Sequence, residues 1–530
     1  MTNCRQKDGK TVLNRLVCAR RVEALMCLGG LLFKSLILSI LTSGPVLPLA
    51  AHGGGVSRTM HRPLLSANPM AEQLEMRLAD LRRKLDRRSR LVDLQSAIEQ
   101  SLLRNPILAE EYNKIQEQEW NLIAVRRQWY PVVNGGSSGN SFLGYRGSTT
   151  KSVNSNQEQF SPITTFSNLV ETSPQVQLNW TFFNPSRGAS INSASEKLTA
   201  DRFLFDVKAR DLVLDTQLAY FALQEQKQLI NDYEVILRST SKQLTRTEAM
   251  FNAGAASISD VEQIRTQQLQ NLAKLIDTYR RVVDTAARLA QAMALPIGTL
   301  AMPKDQLMIL GGWDLSQSET LNQAELMREE IKASLAQASS SGWQAMSFFY
   351  NYVPRLSANA IGSFINTNTA DGNPGSMITV NRQGAQWNGA VGLGFNWQIF
   401  DGGINAAQAE QSKAQARQFK NRADVIRFSI AKEVESAYGN YEASTLALQS
   451  TKLQLQSADS AAKAVRERFN IGFADMTSVV QTYIQSIEAA SAYAQSIREF
   501  NSAIASLYRY SSRWPSGALP LLKTRVRKLR

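Results

Sequence analysis

The sequence contains one pattern twice. Leu178-Asn179-Trp180-Thr181-Phe182-Phe183-Asn184 aligns with Phe395-Asn396-Trp397-Gln398-Ile399-Phe400-Asp401, and Phe251-Asn252-Ala253-Gly254 aligns with Phe469-Asn470-Ile471-Gly472. The two offsets differ by one residue, and Tyr130-Pro131 upstream pairs with Val353-Pro354. Self-similarity at a long, fixed spacing means that one supersecondary unit is built twice, each copy helping to bury the other. Any function of this chain has to be carried by a doubled scaffold.

Each copy has the same order of parts. It opens with a helix, from Asn105-Pro106 to about Trp129 in the first copy and from about Glu329 to Tyr350 in the second. An Asn cap and a Pro at the first helical position set the start, and Pro131 or Pro354 ends the helix and begins an extended segment. The second strand of each copy alternates cleanly. Pro174, Val176, Leu178, Trp180 and Phe182 oppose Gln175, Gln177, Asn179 and Thr181. Likewise Trp387, Val391, Leu393, Phe395, Trp397 and Ile399 oppose Asn388, Ala390, Gly392, Gly394, Asn396 and Gln398. The first strands alternate less: fairly over 354–365, with Leu356, Ala358, Ala360 and Phe364 on one face, and weakly over 131–145. The stretches 145–172 and 366–386, rich in Ser, Thr, Asn and Gly, are expected as polar loops. Such alternation also suits a strand of a soluble sandwich. Ten alternating residues tilted by about 45° match the roughly 25 Å apolar band of an outer-membrane barrel, with Trp180, Trp387 and Trp397 as interface anchors.

A long helical hairpin follows. Asn184 and Asp401 read as N-caps at the strand-to-helix switch, with Gly402 and Gly403 permitting a sharp change of direction. Ser186 to Asn252 contains no proline, which gives one helix of about 100 Å, too polar for a bilayer. Heptad spacing stabilises it: Leu223, Ile230, Leu237, Leu244 and Phe251 recur every seventh residue, as do Tyr441, Leu448, Leu455, Ala462 and Phe469. Return helices over 256–295 and from Met476 onward carry apolar residues at 3–4 spacing, across tight turns at Gly254 and Gly472. A return helix and an opening helix, stacked end to end, match the length of the long helix. The segments 91–104 and 296–328 and the C-terminal end then gather at the joint.

Charge and thiols limit the alternatives. The formal net charge of +14 invites a nucleic-acid reading, but residues 1–51, 52–90 and 516–530 each carry +5, leaving 91–515 at −1. No nucleic-acid partner is expected, and Lys523, Arg525, Arg527, Lys528 and Arg530 read as a solvated tail. Arg15, Arg20 and Arg21 followed by the apolar stretch Ala24–Ile40 and the small residues around Ala50-Ala51 read as a signal peptide over 1–51, a membrane anchor being the competing reading. Cys4, Cys18 and Cys27 all lie in that leader, and the two histidines are His52 and His61. Thiol and imidazole chemistry thus lack raw material beyond the leader, so no catalytic residue, cofactor or metal site is expected, and the chain reads as a non-enzyme. The organisation expected is a basic segment over 52–90, a first repeat over 91–300, a linker over 301–317, a second repeat over 318–515 and a basic tail over 516–530.

Four strands cannot close a barrel that needs at least about eight, and open sheet edges are costly in lipid, so the chain is expected to associate. Three copies supply twelve strands. In this order of parts the chain resembles the TolC-like outer-membrane factors, over about 91–515. The resemblance rests on the doubled unit, on Phe400-Asp401-Gly402-Gly403, and on the Phe-Asn-x-Gly turns with the following Ser257-x-x-Asp260. It implies a mainly α fold with a small β part: a homotrimer whose long antiparallel coiled-coil helical barrel in the periplasm joins a twelve-stranded transmembrane β-barrel in outer-membrane lipid. It further implies docking to a periplasmic adaptor and an inner-membrane pump, as the exit duct of an efflux or type I secretion system. A non-conducting coiled-coil scaffold or adhesin, and a soluble periplasmic binding module, are the rival readings.

The resemblance also places a gate and docking region at the hairpin tips. Ser257 and Asp260 form a capping-box pair on their own evidence, and Asp260 falls where the family has a carboxylate that bonds an arginine of the neighbouring hairpin. That arginine position is Ala474 here, the family's tyrosine position is Phe469, and the two aspartates ringing the closed entrance correspond to Ser478 and Gln481. Asp475 is the nearby carboxylate. A tip held by packing and neutral hydrogen bonds is therefore expected.

Overall fold

The computed structural model describes residues 69–137, 143–153, 162–372 and 379–529, so the leader lies outside the described residues. In chain order these form α1 (Pro69–Arg88), β1 (Ser89–Val92), α2 (Leu94–Arg104), α3 (Pro106–Arg127), β2 (Val132–Ser137), β3 (Leu143–Val153), β4 (Pro162–Thr172) and β5 (Pro174–Phe183). Then come α4 (Pro185–Asn252), α5 (Ile258–Ala292), β6 (Leu300–Pro303), α6 (Gln317–Met327), α7 (Glu329–Phe349), β7 (Arg355–Gly372) and β8 (Thr379–Asn396). The chain finishes with α8 (Ile404–Asn470), α9 (Met476–Tyr510) and α10 (Ala518–Leu529). The protein is mostly helical, with one main sheet.

That sheet corrects the expected loops. Much of 145–172 belongs to β3 and β4, which pair with each other from Leu143↔Thr172 to Val153↔Pro162. The stretch 366–386 is largely the far ends of β7 and β8, paired out to Gly372↔Thr379. Ser, Thr, Asn and Gly suggest a loop by composition, yet a ladder satisfies backbone groups whatever the side chains are. β5 and β4 follow one another along one flank of β7, on Leu356–Ser363 and Asn366–Gly372 respectively, while β2 continues from β5 and β3 from β4. The six strands thus lie on four paths, with β2 and β3 at one edge and β8 at the other. A register shift lies between Trp180 and Phe183, and Val176, Trp180 and Phe183 of β5 are exposed. On β8 Trp387, Val391, Leu393 and Phe395 form an exposed apolar row.

Below the sheet, α4 packs on α3 and α7, and α7 packs on α8; further down α5 and α9 take the places of α3 and α7. The joints between the stacked helices differ. In the first, Asn105 accepts from the Ile107 amide to cap α3 and donates from Nδ2 to the Ala292 carbonyl at the end of α5, 2.9 and 2.8 Å. One buried side chain closes two helix ends. In the second joint, Arg509 of α9 bonds Glu330 of α7 and Asp211 of α4, each at 2.7 Å. Arg328 bonds Glu330 at 2.6 Å and also pairs with Glu433 of α8, and Arg210 bonds Glu329 at 2.9 Å.

Two terminal features depart from the sequence reading. Residues 516–530, expected as a solvated tail, contain α10, whose Ala518 and Leu522 are buried with Ile98, Leu102, Leu108 and Phe205. Arg525 donates to the carbonyls of Leu103 and Asn105 at the end of α2. The basic residues are thus an amphipathic face, with the apolar ones spaced to pack. Similarly, α1 lays Leu78 and Leu85 into the core of α4, α5 and β6, and β1 pairs parallel with β6 across the span expected as a linker.

Candidate functional site

The two hairpin tips close by the same backbone bonds. At the first, the Ala255 amide donates to the Met250 carbonyl and that of Gly254 to Phe251, 2.8 and 3.0 Å. At the second, Phe473 donates to Arg468 and Gly472 to Phe469, again 2.8 and 3.0 Å. Both are Schellman-type ends, and Gly254 and Gly472 sit at φ of 77° and 81°, where a Cβ is strained. The return helices then start differently. Ser257 and Asp260 form a reciprocal capping box, with Asp260 Oδ2 accepting from the Ser257 amide at 2.9 Å and from its hydroxyl at 2.7 Å. Asp475 alone caps α9, accepting from the Ser478 amide at 2.7 Å, and its bonds to Ser478 hold its carboxyl below the usual range.

Within one chain the two tips are joined by an apolar cluster of Ile264, Met476, Val479 and Val480, with Leu244, Phe469 and Tyr483 against it. Polar contacts surround it. Arg246 Nη1 donates to Asn470 Oδ1 at 2.6 Å, Gln263 Nε2 to Thr477 Oγ1 at 3.3 Å, and the Ser239 and Tyr483 hydroxyls lie 3.0 Å apart. Of the residues singled out from sequence, Phe469 enters this cluster, Ser478 serves the Asp475 cap, and Asp260 is taken up by Ser257. Ala474 is half-buried and Gln481 exposed. Sequence reasoning missed Arg246, Gln263 and Thr477, and it read Tyr483 as an apolar seam residue without its contact to Ser239. The first three flank the apolar seams, and no one-dimensional signal pairs residue 239 with 483.

The strand-to-helix junctions are the second candidate region. Asn184 caps α4 as expected, accepting from the Ser186 amide at 3.2 Å. In the second copy Gly403, not Asp401, is the residue before α8, and Gly402 and Gly403 both take positive φ. Asp401 reaches over them to accept from the amides of Gly403 and Asn405, 2.9 and 2.8 Å, and from the Tyr352 hydroxyl at 2.8 Å. These bonds, chiefly that from the Asn405 amide, lower its pKa to about 2. The copies share one further device. Trp180 Nε1 donates to the Trp129 carbonyl and Trp397 Nε1 to the Tyr352 carbonyl, both at 2.9 Å, so in each copy an indole ties the end of the sheet to the end of the opening helix.

A sheet continued by two long antiparallel helical hairpins, repeated in one chain, is the fold of solved outer-membrane channels. The Campylobacter jejuni CmeC channel matches with a TM-score of 0.64 over 92% of this chain and 99% of that one, at 14% identity. The channel OprN matches at 0.62 over 79% and 90%, at 17% identity. The profile of the outer membrane efflux protein family matches residues 97–295 and 320–512, and the chain belongs to that family. It is 21% identical to Outer membrane protein TolC of Escherichia coli (strain K12) over 327 residues, 58% of this chain and 63% of that protein. It is 22% identical to Outer membrane efflux protein BepC of Brucella suis biovar 1 over 302 residues, 56% and 62% of the two lengths. The matches thus span somewhat less than two thirds of each relative. α1, β1 and α10 lie outside the family-matched residues.

Proposed function

We propose that this chain is one subunit of a homotrimeric outer-membrane duct. Its sheet lies in the bilayer, its helices extend through the periplasm, and its tips meet a periplasmic adaptor and an inner-membrane pump. One observation carries the reading. The sheet and the upper helical layer run out at the same two places, α3 with β2 on one side and β8 with α8 on the other. A bilayer does not tolerate the unpaired strand edges, and pairing β8 of one copy with β2 of the next removes them while placing α8 beside α3. Four strand paths per chain and three chains give a twelve-stranded barrel, continued by α4 and α8 into a tube of about 100 Å. That length suits a conduit across the periplasm for efflux or type I secretion. Among the described residues no helix is long and apolar enough to cross a membrane, so in this reading the sheet is the element that does.

The test is electrical. Purified protein, confirmed as a trimer by light scattering in detergent, is reconstituted into planar bilayers, where discrete single-channel currents are expected. A trimer that conducts under no condition, including variants with the tip cluster opened by Val479→Asp, returns the chain to the scaffold or adhesin reading.

A further inference from the structure

The two flanks of the upper helical layer carry opposite charge. α3 packs on α4, and its outer side presents Glu110 and Glu117, with Asn113 and Trp120 between and above them, Trp120 being 65% exposed. Lys114 answers Glu110 and Glu111, and Glu119 is paired with Arg202, which leaves Glu117 with no ion pair among the described residues. On the opposite flank the stretch 413–427 of α8 carries Lys413, Arg417, Lys420, Arg422 and Arg427 with one acid, Asp424, which pairs with Arg427, while Glu410 just above the stretch pairs with Lys413. Arg417, Lys420 and Arg422 are exposed and have no ion-pair partner among the described residues.

The bands stand at one height. Tyr112 meets Phe205 edge-on at 6.4 Å. Five residues below Phe205, Arg210 bonds Glu329, and five residues above Glu329, Ser334 Oγ donates to the Phe419 carbonyl. Tyr112, between Glu110 and Glu117, is therefore level with Phe419, between Arg417 and Lys420. Apolar residues match in the same way lower down: Ile107 is 49% exposed on α3, and Val425 and Phe428 are 61% and 78% exposed on α8. Burial of such residues on an otherwise charged helix edge favours a partner with the complementary pattern.

We propose that the acidic band of α3 seats on the basic band of α8 of a second copy of this chain. Glu110 and Glu117 face Arg417 and Lys420 across the seam, and Ile107 meets Val425 and Phe428 beneath them. The inference rests on the duct reading and adds the seam's chemistry and polarity to it. The contact is head to tail, because a like-to-like pairing sets Arg417 and Lys420 against themselves, and head-to-tail contacts close into a ring. The charges fix the register at which neighbouring copies meet, and the apolar residues below supply the buried area.

Cysteine cross-linking of the full chain tests this, with Cys4, Cys18 and Cys27 replaced by serine. A chain carrying both Glu117→Cys and Arg417→Cys is expected to give a covalent ladder that stops at the closed ring under a short bismaleimide. Each single variant alone stays uncross-linked, and a mixture of the two singles gives dimers. In parallel, Glu110→Lys with Glu117→Lys is expected to raise the dissociation constant of the assembly roughly tenfold or more, and adding Arg417→Glu with Lys420→Glu to recover it. Glu117→Cys cross-linking to itself, or a trimer by light scattering that shows neither cross-link nor recovery, overturns the seam and leaves the duct standing. A monomer in every condition overturns both.

Discussion

The two helix joints solve one geometric problem with different chemistry. Where α5 meets α3, a single neutral side chain, Asn105, caps one helix and terminates the other. Where α9 meets α7, the same junction is made by Arg509, Glu330 and Arg328, buried and tied sideways to Asp211 and Glu433. The difference follows from position. The first joint gathers the ends of α2, α3 and α5 of one repeat, with Arg525 of α10 serving the carbonyls of Leu103 and Asn105 beside it. The second lies where α4, α7, α8 and α9 converge, so it holds both repeats together. Charge is costly to bury, but a guanidinium has five N–H donors to spread over carboxylates on several helices, where an amide has two. The two copies keep one geometry while the chemistry at their joints differs.

Three experiments can break or sharpen this contrast. Arg509→Ala leaves Glu330 with Arg328 as its one guanidinium and takes the partner from half-exposed Asp211, and is expected to cost about 3 kcal/mol in urea unfolding. A loss below about 1 kcal/mol shows that the second joint is held by apolar packing instead. Next comes pH. Burial, then repulsion from Glu329, raises Asp206 beside this joint from 3.8 to about 6, whereas bonds from Arg328 and Arg509 overcome burial and lower Glu330 from 4.5 to about 2. The signs are opposite. Glu330 contributes stability that is present above about pH 4.5 and is lost as pH falls towards 2. Asp206 favours the folded state while protonated, and that advantage is lost as pH rises from about 3.8 through 6. Asp206→Asn is thus expected to stabilise the protein at pH 7 by at most about 3 kcal/mol, and not at pH 4. Thermal unfolding across that range reads this, and equal shifts at both values sink it. The smallest effect belongs to the neutral joint: Asn105→Ala is expected to cost about 1–2 kcal/mol. That cost should not vary between pH 4 and 7, and a pH-dependent one means that a group titrating in this range acts on the joint.

How far the sequence disclosed this molecule depends on what each element uses to hold its shape. Helices held by their own periodicity and caps were legible: α3 from Asn105-Pro106, α4 from its proline-free heptads, α5 from Ser257 and Asp260. Elements held by partners far along the chain were not. β3 and β4 look like loops because Ser, Asn and Gly interrupt their Thr and apolar residues, and their order comes from the ladder between them and from β7. α10 reads as a charged tail until Leu522 is seen against Leu102 and Leu108. At Asp401 the residue type was right and the role displaced, since Gly402 and Gly403 intervene and the carboxylate accepts from two residues before the cap position. The tips were legible as turns. The side chains that join one tip to the other were not, because their pairing is set by how two hairpins lean together.

The docking of α10 has a consequence for how the molecule is made. Arg525 bonds the carbonyl of Leu103 across a separation of 422 residues, and Ala518 and Leu522 fill the core that α2, α3 and α4 share. A chain released residue by residue exposes its first repeat long before the segment that completes it exists. That core is not complete until α10 has been made. α10 is therefore the closing piece of that core: a chain cut before Ala518 retains every described strand and both hairpins, yet leaves Leu102, Leu108 and Phe205 without Ala518 and Leu522 against them.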